Sequence, residues 1–198
     1  IYEVVPVING VMVEKQGFWD RFKRSLNEID LSLPYSKDEF ENILNELIKI
    51  NSLNEGGIYI QITRGIAQRD FSFVSGITPT VMAFAFSDSV LEHPGAKSGI
   101  TIISTPDIRW KRRDIKSISL LGQCYAKNQA TIAGADECFM VEDGYVTEAG
   151  SSSAFIIKDG TLITKPLSNE ILPGIRRQRL LNLAKEIGLK IEERKFSM

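Results

Sequence analysis

The chain has 198 residues, 43% of them hydrophobic, and its 24 basic side chains against 25 acidic ones leave a formal net charge of −1. That supports one large or two small domains with real cores, and so balanced a charge sets up no field to gather nucleic acid or an anionic membrane. No apolar run reaches the length of a bilayer span, and Cys124 and Cys138 make neither a disulfide framework nor a paired zinc spacing. The expectation is a cytoplasmic protein with a small-molecule partner, no nucleic acid and no membrane.

The opening run "IYEVVPVI" is β-branched and strand-like, and Asn9-Gly10 followed by "VMVE" is the pattern of a hairpin whose turn needs positive φ. The chain starts in this strand without an initiator methionine and stops at "EERKFSM", soon after another strand pattern, which reads as a fragment of a longer protein. From Phe18 to Ile29 apolar residues recur at 18, 19, 22, 26 and 29, so Arg21 lies on a helix. Ser36 and Glu39 form a capping box ahead of "FENILNELIKI", and Phe40, Ile43, Leu44, Leu47 and Ile48 predict one apolar face there. "GIYIQITRG" (57–65) alternates as a half-buried strand, and "TVMAFAFS" (80–87) reads as another.

"SDSVLEHPGAKSG" then collects breakers without periodicity. We expect an N-terminal α/β domain over 1–89, a linker over 90–97 and a C-terminal domain over 98–198. In the latter, "ITIIST" predicts a strand and 120–133 a helix, and "ECFMVEDGYVTEAGSSSAFIIKDGTLIT" predicts short strands with two Asp-Gly turns. "LPGIRRQRLLNLAKEIGLKIEE" predicts a helix stopped at Gly188 and then a strand. The mixed order favours α+β or α/β in two halves.

Several chemistries lack material. The one histidine, His93, falls in the linker and is expected to be exposed and idle, so triads and histidine-rich metal sites have almost no material. Neither a Walker loop nor a G-x-G-x-x-G fingerprint occurs. The run "RWKRRDIK" holds five cations in eight positions and is expected to be a solvated charged face. What remains is a lysine, some carboxylates and an organic cofactor.

"DIRWKRRDIKSISLLG", "VTEAGSSSAFIIKDG" and "EILPGIRR", in this order, resemble the fold-type IV pyridoxal-phosphate enzymes, and the D-amino acid aminotransferases most closely. The likeness runs from "YEVV" to "KIEERKF". It implies an α+β protein with a small N-terminal α/β domain and a larger C-terminal α/β pseudo-barrel domain that binds pyridoxal 5′-phosphate. It also implies an aminotransferase that moves an amino group between a D-amino acid, such as D-alanine, and a 2-oxo acid, working as a homodimer.

The same resemblance assigns roles. Lys116 becomes the Schiff-base lysine and the base at the substrate's α-carbon, for which its amine must be uncharged, a state favoured by burial or nearby positive charge. Glu148 pairs with the pyridine nitrogen and keeps the ring protonated. Arg21 binds the phosphate, together with the backbone amides of Ile175 and Arg176, which follow Gly174 at a helix N-terminus. The family often has threonine at position 176, so arginine there departs from the pattern. Leu172 packs on the cofactor ring with Ser151 and Ser152 beside it. Tyr2 lies near the lysine, within reach of cofactor or substrate, while its neighbour Glu3 receives no role. Arg69 takes the substrate α-carboxylate; the family commonly has histidine two residues on, where this chain has Phe71. Alternatives on the same scaffold are an aminodeoxychorismate lyase and a branched-chain amino acid aminotransferase. A third reading takes the chain as an inactive fragment, because the family's final segment lies outside it.

Overall fold

The computed structural model describes residues 1–93 and 95–198. The chain folds as two compact units of nearly equal length, unit 1 from residues 1–94 with 115–118 and unit 2 from residues 95–114 with 119–198. The chain therefore leaves unit 2 after Asp114, lends four residues to unit 1, and returns at Ser119.

Unit 1 is an antiparallel sheet with two helices. Strands β1 (Tyr2–Ile8), β2 (Val11–Met12), β3 (Glu55–Thr63) and β4 (Thr80–Ser87) are ordered β2-β1-β3-β4. The β1–β2 turn has Asn9 and Gly10 at φ 52° and 72°, the left-handed pair that an Asn-Gly hairpin turn requires. Helix α1 (Lys15–Asn27) begins three residues before Phe18, the start expected from periodicity, and ends two before Ile29. Asp30 at φ 48° and the bond from Leu31 N–H to Leu26 O close its end. Helix α2 (Lys37–Ile50) carries the expected capping box in both directions: Glu39 N–H donates to Ser36 Oγ, and Ser36 N–H donates to the Glu39 carboxylate. Its buried stripe is narrower than the sequence suggests, with Phe40, Leu44 and Ile48 inside at i, i+4 spacing and Ile43 45% exposed.

Period-2 alternation sorts β1 into a buried set, Glu3, Val5 and Val7, continued by the buried Ile1 just before it, and a more open set that includes Tyr2 and Val4. Val5 and Val7 join Ile58, Ile60 and Ile62 of β3 with Phe18, Phe22, Phe40 and Leu44 in the core, each large side chain contributing about 1.5–3 kcal/mol. Glu3 is the one charged residue on that inward face of β1.

Unit 2 contains the short helix α3 (Gly95–Ser98) and two strand–helix–strand crossovers. Strand β5 (Ile102–Pro106) pairs in parallel with β6 (Glu137–Glu142), the crossover passing through α4 (Leu121–Ile132), and β6 turns through Asp143-Gly144 into antiparallel β7 (Tyr145–Ala149). The second crossover links β9 (Thr161–Thr164) through α5 (Ile175–Glu186) to parallel β10 (Lys190–Glu193), and β8 (Phe155–Lys158) joins β9 through Asp159-Gly160. Both Asp-Gly turns have left-handed φ values, 51° with 79° and 49° with 71°. Gly188 (φ 74°) stops α5, as the sequence predicts. Ala126 and Ala130 of α4 pack on Cys138 and Met140, while Leu181 and Ala184 of α5 pack on Leu162. Among the described residues no helix is long and apolar enough to cross a membrane.

Candidate active site

In unit 1 the main chain of the four-residue return segment is held at Lys116. The backbone N–H of Lys116 donates to Ser25 Oγ at 3.2 Å, and its carbonyl accepts from Tyr2 N–H at 2.9 Å. Ser25 is fully buried on α1, so helix and strand together fix the main chain of Lys116. The Lys116 Nζ stands 4.3 Å from the centroid of the Tyr2 ring. One helical turn before Ser25, Arg21 donates from Nε to Glu3 Oε1 at 2.8 Å and from a terminal nitrogen to Glu3 Oε2 at 2.7 Å. The sequence left Glu3 without a role, although β1 alternation puts it in register with Val5 and Val7 on the buried face, where a carboxylate must be paired. Tyr2, Lys116 and Arg21 are thus gathered around the start of β1. Arg69 is not among them: it lies on the exposed stretch between β3 and β4, its guanidinium 5.0 Å from the ring of Phe71. His93 is exposed, as expected.

In unit 2, Glu148 on β7 is buried, its side chain 8% exposed. Its Oε2 accepts from Arg109 at 2.5 Å and its Oε1 from the backbone N–H of Leu172 at 2.8 Å. Burial pushes the Glu148 carboxyl above its ordinary value, against the pull of the Arg109 charge and of the hydrogen bonds from Arg109 and Leu172. Arg109 is itself clamped, donating from Nε and a terminal nitrogen to the two oxygens of Asp107 at 2.9 and 2.7 Å. Burial would raise the Asp107 carboxyl, but the bonds from Arg109 and Thr147 prevail and hold it below its ordinary value.

The charged run "RWKRRDIK" is therefore not the solvated face expected of it. Arg109 and Arg113 are buried because acids wait for them: Asp107 and Glu148 for the first, Asp107 at 3.2 Å and Glu142 at 2.7 Å for the second. Asp107 and Arg109 were missed by sequence reasoning, and the available signal was an acid beginning a cationic run at a strand end.

Leu172 also connects Glu148 to the next feature. Two residues on, Gly174 is the N-cap of α5, so the amides of Ile175 and Arg176 begin the helix without intrahelical acceptors. A Cβ on Gly174 would stand 2.8 Å from Ser153 Oγ, which makes this a close backbone cradle. Arg176 is exposed, whereas Arg177 is buried, donating to Lys165 O and to Glu193; its Nε has no hydrogen-bond partner among the described residues. Of the three serines, Ser153 stands against this cradle; Ser151 and Ser152 are exposed, Ser151 Oγ lying 3.4 Å from Glu137. A helix start with open amides, a glycine whose Cβ position is crowded by Ser153 Oγ and a buried acid tied to it suit a flat aromatic ring carrying a phosphate.

A family model described as amino-transferase class IV matches residues 1–198. D-alanine aminotransferase of Bacillus licheniformis is 37% identical over 194 residues, 98% of this chain and 68% of the relative. That of Staphylococcus haemolyticus is 38% identical over 199 residues, 100% of this chain and 70% of the relative. Among solved structures, a branched-chain amino acid aminotransferase of Escherichia coli superposes with a TM-score of 0.88 at 23% identity, covering 100% of this chain and 68% of that one. A second, from T.th. and solved with pyridoxamine 5′-phosphate, gives 0.87 at 20% identity over 100% of this chain and 68% of that one.

Proposed function

This chain belongs to the class IV aminotransferases, enzymes of the fold-type IV architecture, and from that premise we propose that it moves an amino group between a D-amino acid, such as D-alanine, and a 2-oxo acid on pyridoxal 5′-phosphate. The observation that carries the reading is Glu148, a buried carboxylate whose two oxygens are held by Arg109 and by an amide two residues ahead of the α5 N-cap.

When bound, the cofactor supplies an aldehyde that condenses with amines and a protonated ring that draws electrons from the substrate's α-carbon. Glu148 would hold the ring nitrogen, with Leu172, Ser151 and Ser152 beside the ring. The amides of Ile175 and Arg176 behind Gly174 would hold the phosphate, with Arg21 as its guanidinium partner. Lys116 would hold the aldehyde and, once released, move the proton at the α-carbon from a main chain pinned by Ser25 and Tyr2. Tyr2 and Arg69 are assigned to the substrate, Arg69 to its carboxylate. We take the working form to be a homodimer, supported by a unit 1 sheet face on which Val4, Met82 and Phe84 stay exposed, and keep the cytoplasm as its expected location.

The test is a half-reaction. The holoenzyme mixed with D-alanine and no acceptor should lose the absorbance of the cofactor's aldehyde form, regain it on addition of a 2-oxo acid, and respond far less to L-alanine. No conversion with any D-amino acid rejects the substrate assignment. Pyruvate release from aminodeoxychorismate without an acceptor would support the lyase instead.

A further inference from the structure

We propose that Arg109 is a positioning residue for Glu148: it keeps that carboxylate ionised and turned so that a free lone pair can accept the proton of a pyridine nitrogen. The proposal rests on the reading of Glu148 given above and adds to it a device supplied by another part of unit 2.

Three observations carry it. First, the lone pairs of Glu148 are divided by geometry: Oε1 takes the Leu172 amide, Oε2 takes Arg109 at 2.5 Å, and one direction on each oxygen is left for a third donor. A buried acid without a cation prefers its neutral form, which would offer a proton to the ring nitrogen instead of accepting one.

Second, Arg109 is set independently of any ligand. Asp107 takes two of its nitrogens in a fork, and Thr147 Oγ1 bonds the same Asp107 carboxylate. A Cβ on Gly122, at the start of α4, would stand 2.9 Å from Arg109 Cγ, so the helix backbone closes directly on this side chain and leaves it little freedom.

Third, the charge of Arg109 is not consumed by Asp107 alone. Asp107 is also paired with Arg113, which reaches Glu142, which in turn is paired with Lys111. The signs alternate along Glu148, Arg109, Asp107, Arg113, Glu142 and Lys111, from a buried carboxylate to an ammonium whose side chain is 82% exposed. Each inner charge has opposite neighbours on both sides, which is how a buried array of ions stays ionised.

The experiment reads the ring nitrogen directly, in holoenzyme carrying cofactor labelled with 15N at that atom. The native protein is expected to give a protonated-pyridinium signal at neutral pH. Arg109→Gln, which keeps a donor and removes the charge, should move the signal toward the unprotonated position. It should also lower kcat, roughly 10- to 100-fold if the loss matches that of outer-shell partners at metal sites, while KM for the amino donor changes less than about threefold. Arg109→Lys, which keeps the charge without the fork, should recover part of the protonated signal. If Arg109→Gln does not fold, Gly122→Ala displaces the arginine from outside and should move the signal the same way. A native signal in the folded Arg109 or Gly122 variant, beside a lost one in Glu148→Gln, overturns the proposal and leaves the Glu148 reading standing. A native signal in Glu148→Gln overturns that reading itself.

Discussion

Arg21 and Glu3 meet through two parallel bonds of 2.8 and 2.7 Å, with the Glu3 side chain fully buried and that of Arg21 10% exposed. A carboxylate between Ile1 and Val5 on the inward face of β1 is tolerated because α1 delivers a guanidinium fork to it. Glu3→Ala removes the carboxylate that this largely buried guanidinium grips with its fork and is expected to lower stability by up to about 3–5 kcal/mol. Urea denaturation followed by the fluorescence of Trp19, on the same helix, measures it; a midpoint like that of the native protein would show that the pair holds nothing together.

At the N-cap of α5, Gly174→Ala should weaken cofactor affinity, because the new Cβ presses on Ser153 Oγ at 2.8 Å. Removing that hydroxyl in the same chain, as Gly174→Ala with Ser153→Ala, should restore much of the affinity. Equilibrium dialysis of the two variants separates this account from one in which alanine merely disturbs the helix start, since then the second substitution would bring no recovery.

Glu142 gives a pH dependence with a definite sign. Hydrogen bonds from Arg113 and then Lys111 hold its carboxyl at about 2, against an ordinary 4.5. The folded protein takes up this proton less readily than the unfolded chain, so the contribution is complete above the ordinary value and is lost as pH falls through the folded one. Glu142→Gln should therefore lie below the native protein in thermal midpoint at neutral pH and converge with it in acid. A gap that stays constant from neutral pH into acid contradicts this.

The elements were legible where the local signal was strong. Asn9-Gly10 and the two Asp-Gly pairs announced their turns because few residues other than Gly, Asn and Asp accept positive φ, and Ser36 with Glu39 announced α2 because the capping box is a local pattern. The return of residues 115–118 to unit 1 was not legible, since it depends on bonds from Ser25 and Tyr2, both far away along the chain. The burial of Arg109 and Arg113 escaped for the same reason: a cationic run looks solvated until its acids, Glu142 and Glu148, are brought alongside by β6 and β7. Glu3 was within reach of sequence reasoning, because period-2 alternation alone puts it on the buried face.

Arg69→Ala should raise KM for the amino donor roughly tenfold or more, in line with the loss of a charge-assisted bond, and leave the cofactor's absorbance as it was. Steady-state kinetics against D-alanine with a fixed 2-oxo acid reads this. If kcat falls with KM unchanged, Arg69 does not hold the substrate carboxylate.

Borohydride reduction of the holoenzyme, followed by mass mapping of the labelled peptide, tests the account most directly. The cofactor adduct should fall on Lys116, whose main chain Ser25 and Tyr2 hold, and be absent from Lys116→Ala. An adduct on another lysine, or no adduct in a protein that still transaminates, contradicts it.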